Sequence, residues 1–368
     1  MQPVRETTLE IDLHALTHNY RYLRAKIPST TKFMGVVKAY AYGSDAQQIA
    51  KRLLKEGAEF LAVSYAEEGL ALRRAGITAP ILVFHPQKVH YSALIAHHLS
   101  PTLYSLRSLQ EFIQEATLSK KEYYPVHLNL NTGMNRLGLN EEELDAALER
   151  IKKTKAIQIE GIYSHLVASE DPMEKAFTRL QIERFERGAQ HLIQGLPAVP
   201  LLHLCNTSGI LNYPEAHFDM VRAGIGLYGY GNSPEQDQHL IPVASLKAPI
   251  TRIHQLKKGD TVGYNRRYKA KEDSRIAVLP LGYADGLYRA YGNGKAAVWI
   301  QGKLAPLVGN ICMGMAMVEV TAIPCEEGDE VLVFGPEHPA QRTARQAGTI
   351  SYELITGISQ RVKRVIKD

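Results

Sequence analysis

Apolar positions alternate at Leu9, Ile11 and Leu13, the period of a half-buried strand. A helical run through Tyr20 and Leu23 follows, and Pro28 stops it. Then a rhythm begins. The apolar stretch from Phe33 to Val37 predicts a strand buried on both faces, as in a parallel sheet. Ser44 or Asp45 can cap a helix in which Ala46, Ile49, Ala50, Leu53 and Leu54 recur at helical spacing, closed by Gly57. Strands are predicted again at 60–63, 81–84, 102–104, 126–130, 157–163, 201–204 and near 218–221. Helical patterns lie between them, as at 141–152, where Asn140 and Glu143 resemble a capping box and Leu144, Ala147, Leu148 and Ile151 form the apolar stripe. The helical pattern is poorest in the third and fourth units.

Eight strands alternating with helices predict a parallel (β/α)8 barrel of the TIM type, in the α/β class. After Gly231 the texture changes. Turn signals such as Lys257-Lys258-Gly259-Asp260 and Glu326-Glu327-Gly328-Asp329 separate Val- and Ile-rich strands at 276–279, 297–300, 317–320 and 330–334. The division expected is a barrel over 14–234 and a mostly-β C-terminal domain over 235–368, ending in a helical stretch near 350–358. The strand in 1–13 is expected to join the C-terminal domain, because a closed barrel has no free edge to receive it.

Composition narrows the class. The chain has 368 residues, 45% hydrophobic and 22% charged, with a net charge of +5 dispersed along its length. Dispersed charge argues against nucleic acid as a partner, and the main basic cluster, Arg361-Val362-Lys363-Arg364, is short. No stretch of about 18 apolar residues predicts a membrane span. Cys205, Cys312 and Cys325 are far apart and lack metal-ligand spacing, so neither a metal site nor a disulfide framework is expected. With no apolar signal segment at the N-terminus, these features predict a cytoplasmic protein.

The candidate chemistry starts at Lys38, which ends the first barrel strand in Val36-Val37-Lys38-Ala39-Tyr40-Ala41-Tyr42-Gly43. Active sites of this fold sit at C-terminal strand ends. A lysine there is either partly desolvated and able to form a Schiff base, or a surface lysine with its stem buried.

The segment resembles the cofactor-lysine motif of alanine racemases, the fold-type III pyridoxal-phosphate (PLP) enzymes. The likeness continues, in order, through Asn131-Thr132-Gly133-Met134-Asn135-Arg136-Leu137-Gly138, Ser164-His165, Asn206-Thr207, Val221-Arg222-Ala223-Gly224-Ile225, Gly263-Tyr264, Gly282-Tyr283-Ala284-Asp285-Gly286, Cys312-Met313 and Ile350-Ser351-Tyr352-Glu353. The resemblance implies that Lys38 holds PLP and that Lys38 and Tyr264 are the two bases, Tyr264 reaching the site from the other subunit of a homodimer. It implies Arg222 at the ring nitrogen and His165 on the ring face. It also implies a cofactor cradle of Tyr42, Asn206, Thr207, Gly224, Ile225 and Tyr352. Arg136 would support Tyr264, Met313 would meet the substrate carboxylate, and Tyr283 would narrow the entrance. The implied role is supply of D-alanine for peptidoglycan.

Three positions depart from the family pattern. Asn129 stands where many relatives carry a carbamylated lysine, and the resemblance implies a bound chloride between Asn129 and Arg136 instead. Asn131 and Gly314 each stand where aspartate is common. Four other readings remain: a serine or broad-range racemase, a decarboxylase (which would carry glutamate, not Arg222), a PLP carrier (which would lack the β domain), and an inactive racemase-like binding module.

Overall fold

The computed structural model describes residues 5–368, so the first four residues of the predicted N-terminal segment lie outside the described residues. Strand β1 (Thr8–Asp12) is followed by a helix, Leu13–Arg24, which Asp12 caps by accepting from His14 and Ala15 N–H. Eight parallel strands then close a barrel: β2 (Lys32–Val36), β3 (Phe60–Val63), β4 (Ile81–Val83), β5 (Ser100–Leu103), β6 (Tyr124–Asn129), β7 (Ile157–Tyr163), β8 (Leu201–His203) and β9 (Met220–Ala223). Closure is made by β2 against β9, in register Met34↔Arg222. The helix Ala46–Glu56 shows how the wall packs: Asp45 caps it, and Ile49, Ala50 and Leu53 lie buried against the strands. The TIM-type barrel predicted from the sequence is present.

Of the two barrel units with a poor helical pattern, one matches it and one departs from it. The third carries only a 3-10 turn at Lys88–His90 and the six-residue helix Tyr91–Ala96, too short for a full stripe. The fourth, in contrast, holds a full helix, Leu106–Leu118, with Ser105 as its cap and Leu109, Phe112, Ile113 and Ala116 buried. Its polar neighbours obscured a stripe that packing makes plain.

Beyond the barrel run β10 (Ala244–Pro249), β11 (Arg252–Leu256), β12 (Thr261–Val262), β13 (Tyr268–Lys269), β14 (Ser274–Leu279), β15 (Ala297–Ile300), β16 (Lys303–Val308), β17 (Ala316–Glu319) and β18 (Glu330–Phe334). The predicted helical finish is incomplete. Helices Ala340–Gln346 and Ser351–Thr356 are followed by a last strand, β19 (Lys363–Lys367). Its alternation is masked by lysines and arginine, which suit an edge strand. The sheet order is β11-β14-β17-β16-β15-β18-β10-β1-β19, so β1 lies between β10 and the chain's last strand.

This sheet grips the barrel. The half-buried Arg364 guanidinium donates to the carbonyls of Gly43 (2.8 Å) and Ile358 (2.9 Å), tying β19 to the turn after β2. Gly43 has φ +82°, and a Cβ there would lie 2.1 Å from the Ile355 carbonyl oxygen. Only glycine tolerates both conditions. Gly43→Ala is therefore expected to destabilise the protein by about 1–3 kcal/mol, read as a lower urea midpoint at unchanged slope. An unchanged midpoint would mean that this contact does not constrain the fold.

Candidate active site

The C-terminal strand ends open into a cavity of about 590 Å³, the size of a small-molecule site. Lys38 enters it just past β2, with Nζ 6.0 Å from the centre of the Phe84 ring. Burial lowers the Lys38 pKa below the ordinary lysine range, helped by the charges of Arg136 and Arg222 and opposed by Glu68. A larger share of free amine at neutral pH follows.

The backbone after Lys38 is unusual. Ala39, Tyr40, Ala41 and Tyr42 all have φ between 52° and 56°, a left-handed turn without glycine. Each such residue costs roughly 1–2 kcal/mol, so the turn needs outside support. Glu68 supplies part of it: one carboxylate oxygen accepts from Ala39 N–H (2.6 Å), the other from Ser64 (2.7 Å) and Tyr65 (3.0 Å) N–H. Tyr42 stacks on Tyr228 at 4.4 Å, and Tyr228 donates to the Val36 carbonyl at 2.9 Å. Sequence reasoning missed Glu68, which reads as an ordinary acidic residue in the first turn of the helix Ala66–Arg74.

Arg222 is buried in the wall of β9. Its Nη1 donates to His203 Nδ1 (2.9 Å) and to the His203 carbonyl (2.9 Å). Its Nη2 donates to the carbonyls of Ser164 (2.7 Å) and Leu204 (3.1 Å) and, more weakly, to His165 Nδ1 (3.3 Å). Nε has no protein partner among the described residues, although the side chain borders the cavity. Burial pushes the Arg222 pKa down to about 10, so the group stays charged at neutral pH. Burial, followed by the charges of Arg222, Arg136 and Lys38, pushes His165 down to about 3. His165 is a neutral ring.

The opposite end of the cavity is lined by hydroxyls and amides. Asn206 caps the short helix Thr207–Asn212, accepting from Gly209 N–H at 2.9 Å. Thr207 Oγ1 accepts from Gly224 N–H (3.3 Å) and Gly226 N–H (3.1 Å), which fixes the loop after β9. Asn232 donates to Ser208 Oγ (3.0 Å) and to Tyr352 Oη (3.3 Å). Burial holds both Tyr42 and Tyr352 above the usual phenol range, Tyr352 at about 12, so both remain donors. Ser208 and Asn232 were not singled out from sequence, although Ser208 adjoins Thr207.

Lys38, Tyr42, Asn129, Arg136, His165, Asn206, Thr207, Arg222, Gly224, Ile225 and Tyr352 all line this one cavity. Tyr264, Tyr283 and Met313 do not. They lie in the C-terminal domain at 70%, 38% and 61% exposure. Hydrogen bonds gather them: Asn310 donates to the Tyr264 carbonyl (3.1 Å), and Tyr283 N–H to the Cys312 carbonyl (3.0 Å). The Met313 loop is held mainly by backbone bonds, Cys312 N–H to Met315 O at 2.8 Å and Ala284 N–H to Met313 O at 2.9 Å, with Cys312 Sγ donating to the Asn310 carbonyl at 3.7 Å. Gly314 therefore leaves the loop tied, while Arg361 pairs with Asp285 at 2.8 Å. Asn131 is used fully as an amide. Its Nδ2 donates to Asn135 and Asn140 (both 2.9 Å), and its Oδ1 accepts from Gly133 and Asn135 N–H.

A TIM-type barrel with a half-buried amine, a buried cation and a hydroxyl-lined end in one cavity, plus a β domain, defines a lysine-bearing barrel enzyme. Residues 11–232 match the family model described as alanine racemase, N-terminal domain, and residues 243–366 match that of the C-terminal domain. The alanine racemase of Carboxydothermus hydrogenoformans is 37% identical over 98% of this chain and 100% of its own. The solved alanine racemase of Clostridium difficile 630 superposes with TM-score 0.91 at 33% identity, covering 99% of this chain and 96% of that one. That of Bartonella henselae, with covalently bound pyridoxal phosphate, gives 0.89 at 28% identity over 99% and 100%. The chain belongs to the alanine racemase family.

Competitive acetylation across pH, read peptide by peptide, is expected to show Lys38 reacting as a base weaker than an ordinary lysine. Titration in the ordinary range would remove the argument for a desolvated amine.

Proposed function

We propose that this protein is a PLP-dependent alanine racemase of the cytoplasm, interconverting L- and D-alanine through Lys38 and Tyr264 and supplying D-alanine for peptidoglycan. Residues 14–234 form the cofactor-binding unit, and of the N-terminal segment the described residues 5–13 join 235–368 in the other. The observation that carries the reading is Lys38, its pKa lowered by burial, in one cavity with a charged Arg222 whose Nε lacks a partner among the described residues.

The residues present fit the cofactor. Lys38 offers an amine to its aldehyde, Arg222 Nε a donor to its ring nitrogen, and neutral His165 a face for its ring. Tyr42, Thr207, Tyr352 and the loop Gly224-Ile225 offer hydroxyls and amides to its phosphate, with Asn206 fixing the helix beside them. Bound PLP supplies an electron sink for the pair left at the substrate Cα. Arg222 cannot surrender its proton, and a donor of that kind keeps the sink weak, favouring prompt return of a proton to Cα.

Racemisation requires a base on each face of Cα. Lys38 Nζ serves one face. The partner subunit's Tyr264 serves the other in a homodimer, which accounts for its exposure with Tyr283 and Met313 on one loop cluster. A phenol's usual pKa is about 10, so Tyr264 needs a cation beside it, and Arg136 at the cavity edge fills that role. Met313 N–H meets the substrate carboxylate and Tyr283 narrows the entrance. Chloride between Asn129 and Arg136 orients the arginine, since Asn129 cannot carry a carbamate.

Purified protein incubated with PLP is expected to colour, to racemise L-alanine and to be tagged by borohydride at Lys38. A tag elsewhere would end this assignment. Tyr264→Phe should keep the colour and slow turnover by roughly 10²–10⁴-fold. Mixing Lys38→Ala with Tyr264→Phe chains should restore activity, because each mixed dimer then holds one intact site; no restoration would sink the shared-site reading. Crystals soaked in bromide should show an anomalous peak beside Asn129 and Arg136.

A further inference from the structure

Behind Arg222 lies a row of buried polar groups that the chemistry above leaves unused. His203 Nε2 faces His127 Nδ1 at 2.9 Å, and His127 Nε2 faces Glu160 Oε2 at 3.2 Å. Both imidazoles are fully buried, while the Glu160 side chain is 31% exposed at the far end. We infer that Glu160, His127 and His203 form a one-directional hydrogen-bond relay that fixes Arg222 against the cofactor ring nitrogen, with Glu160 as the remote positioning residue. The inference rests on the role proposed for Arg222.

The direction follows from donor and acceptor inventory. A guanidinium has hydrogens and no acceptor, so His203 Nδ1 must accept from Arg222 Nη1. His203 therefore carries its proton on Nε2 and donates it to His127 Nδ1. That nitrogen must be bare, so His127 carries its proton on Nε2 and donates it to Glu160. A second proton on His127 would place two hydrogens between the rings. Both rings are thus neutral Nε2–H tautomers, although His127 faces a carboxylate. An imidazole that could turn its N–H toward Arg222 would repel the guanidinium from its carbonyl cage.

Two features of the backbone and one of ring packing show that the row is built. The register of β6 on β7 jumps from Val126↔Ile159 to His127↔Gly161, leaving Glu160 as an extra, unpaired residue. Such bulges are rare in parallel sheets and re-aim a side chain. Gly161 leaves room for the His127 ring, since a Cβ there would lie 2.2 Å from Nδ1. The His203 ring stacks on Tyr163 at 4.8 Å, and Arg222 lies over the same ring at 5.0 Å, so His203 and Arg222 share one platform.

The test starts on the unmodified, PLP-loaded protein labelled with ¹⁵N-histidine. Long-range ¹H–¹⁵N spectra should show His127 and His203 as neutral Nε2–H tautomers. An Nδ1–H tautomer or a doubly protonated ring at either position overturns the relay. This reading needs no turnover, so it stands apart from failure of the racemase assignment. Glu160→Gln keeps an acceptor oxygen and should preserve both tautomers, the cofactor absorption band and kcat. Glu160→Leu removes the acceptor. It should mix the tautomers, shift the band and lower kcat about 10–100-fold, by analogy with the outer partners of metal-ligating histidines, with a smaller change in KM. Unchanged absorption and kcat in a folded Glu160→Leu protein would overturn the positioning role. If that variant does not fold, the tautomers of the unmodified protein still decide the case.

Discussion

The site depends on burying one permanent cation in the barrel wall. An isolated charge removed from water costs several kcal/mol even after relaxation. Among the described residues no carboxylate pairs with the Arg222 guanidinium; its charge is met by the carbonyls of Ser164, His203 and Leu204 and by the Tyr163 ring. Barrel strands that end at one rim supply those carbonyls. Burial is the main reason that Lys38, His165 and His203 all have depressed pKa values, and the charge of Arg222 adds to it in each case.

The strained turn after Lys38 shows how the two parts of the chain cooperate. Four left-handed residues in a row would not persist in isolation. Glu68 holds the start of the turn from the barrel side. The C-terminal part closes its end, with Ile355 packed on Gly43 and Arg364 bonded to the Gly43 carbonyl. The same helix carries Tyr352 into the cavity. Removing the β domain would therefore loosen the lysine as well as expose the hydroxyl-lined end.

The departures from the family pattern have different weights. Asn131 donates two hydrogen bonds that an aspartate could not, so its loop is re-solved with an amide. Gly314 leaves a loop held by main-chain bonds. Asn129 lines the cavity together with Arg136 as an uncharged amide.

The sequence by itself determined the barrel rhythm and the change of texture near Gly231, because strand burial and turn composition are local signals, whereas most of the cavity-lining residues were legible through the resemblance of their motifs to a known family. It did not disclose β19, whose lysines and arginine hide its alternation, nor the length of the helix Leu106–Leu118. Only the tertiary structure brought His127, Glu160 and His203 into one row, since β6, β7 and β8 meet laterally across gaps in sequence and a bulge of one residue turns Glu160 inward. Only it placed Glu68 under the Lys38 turn, and left Tyr264 on an outer surface of the single chain. Contacts between separate strand ends are decided by barrel closure, which no local pattern encodes.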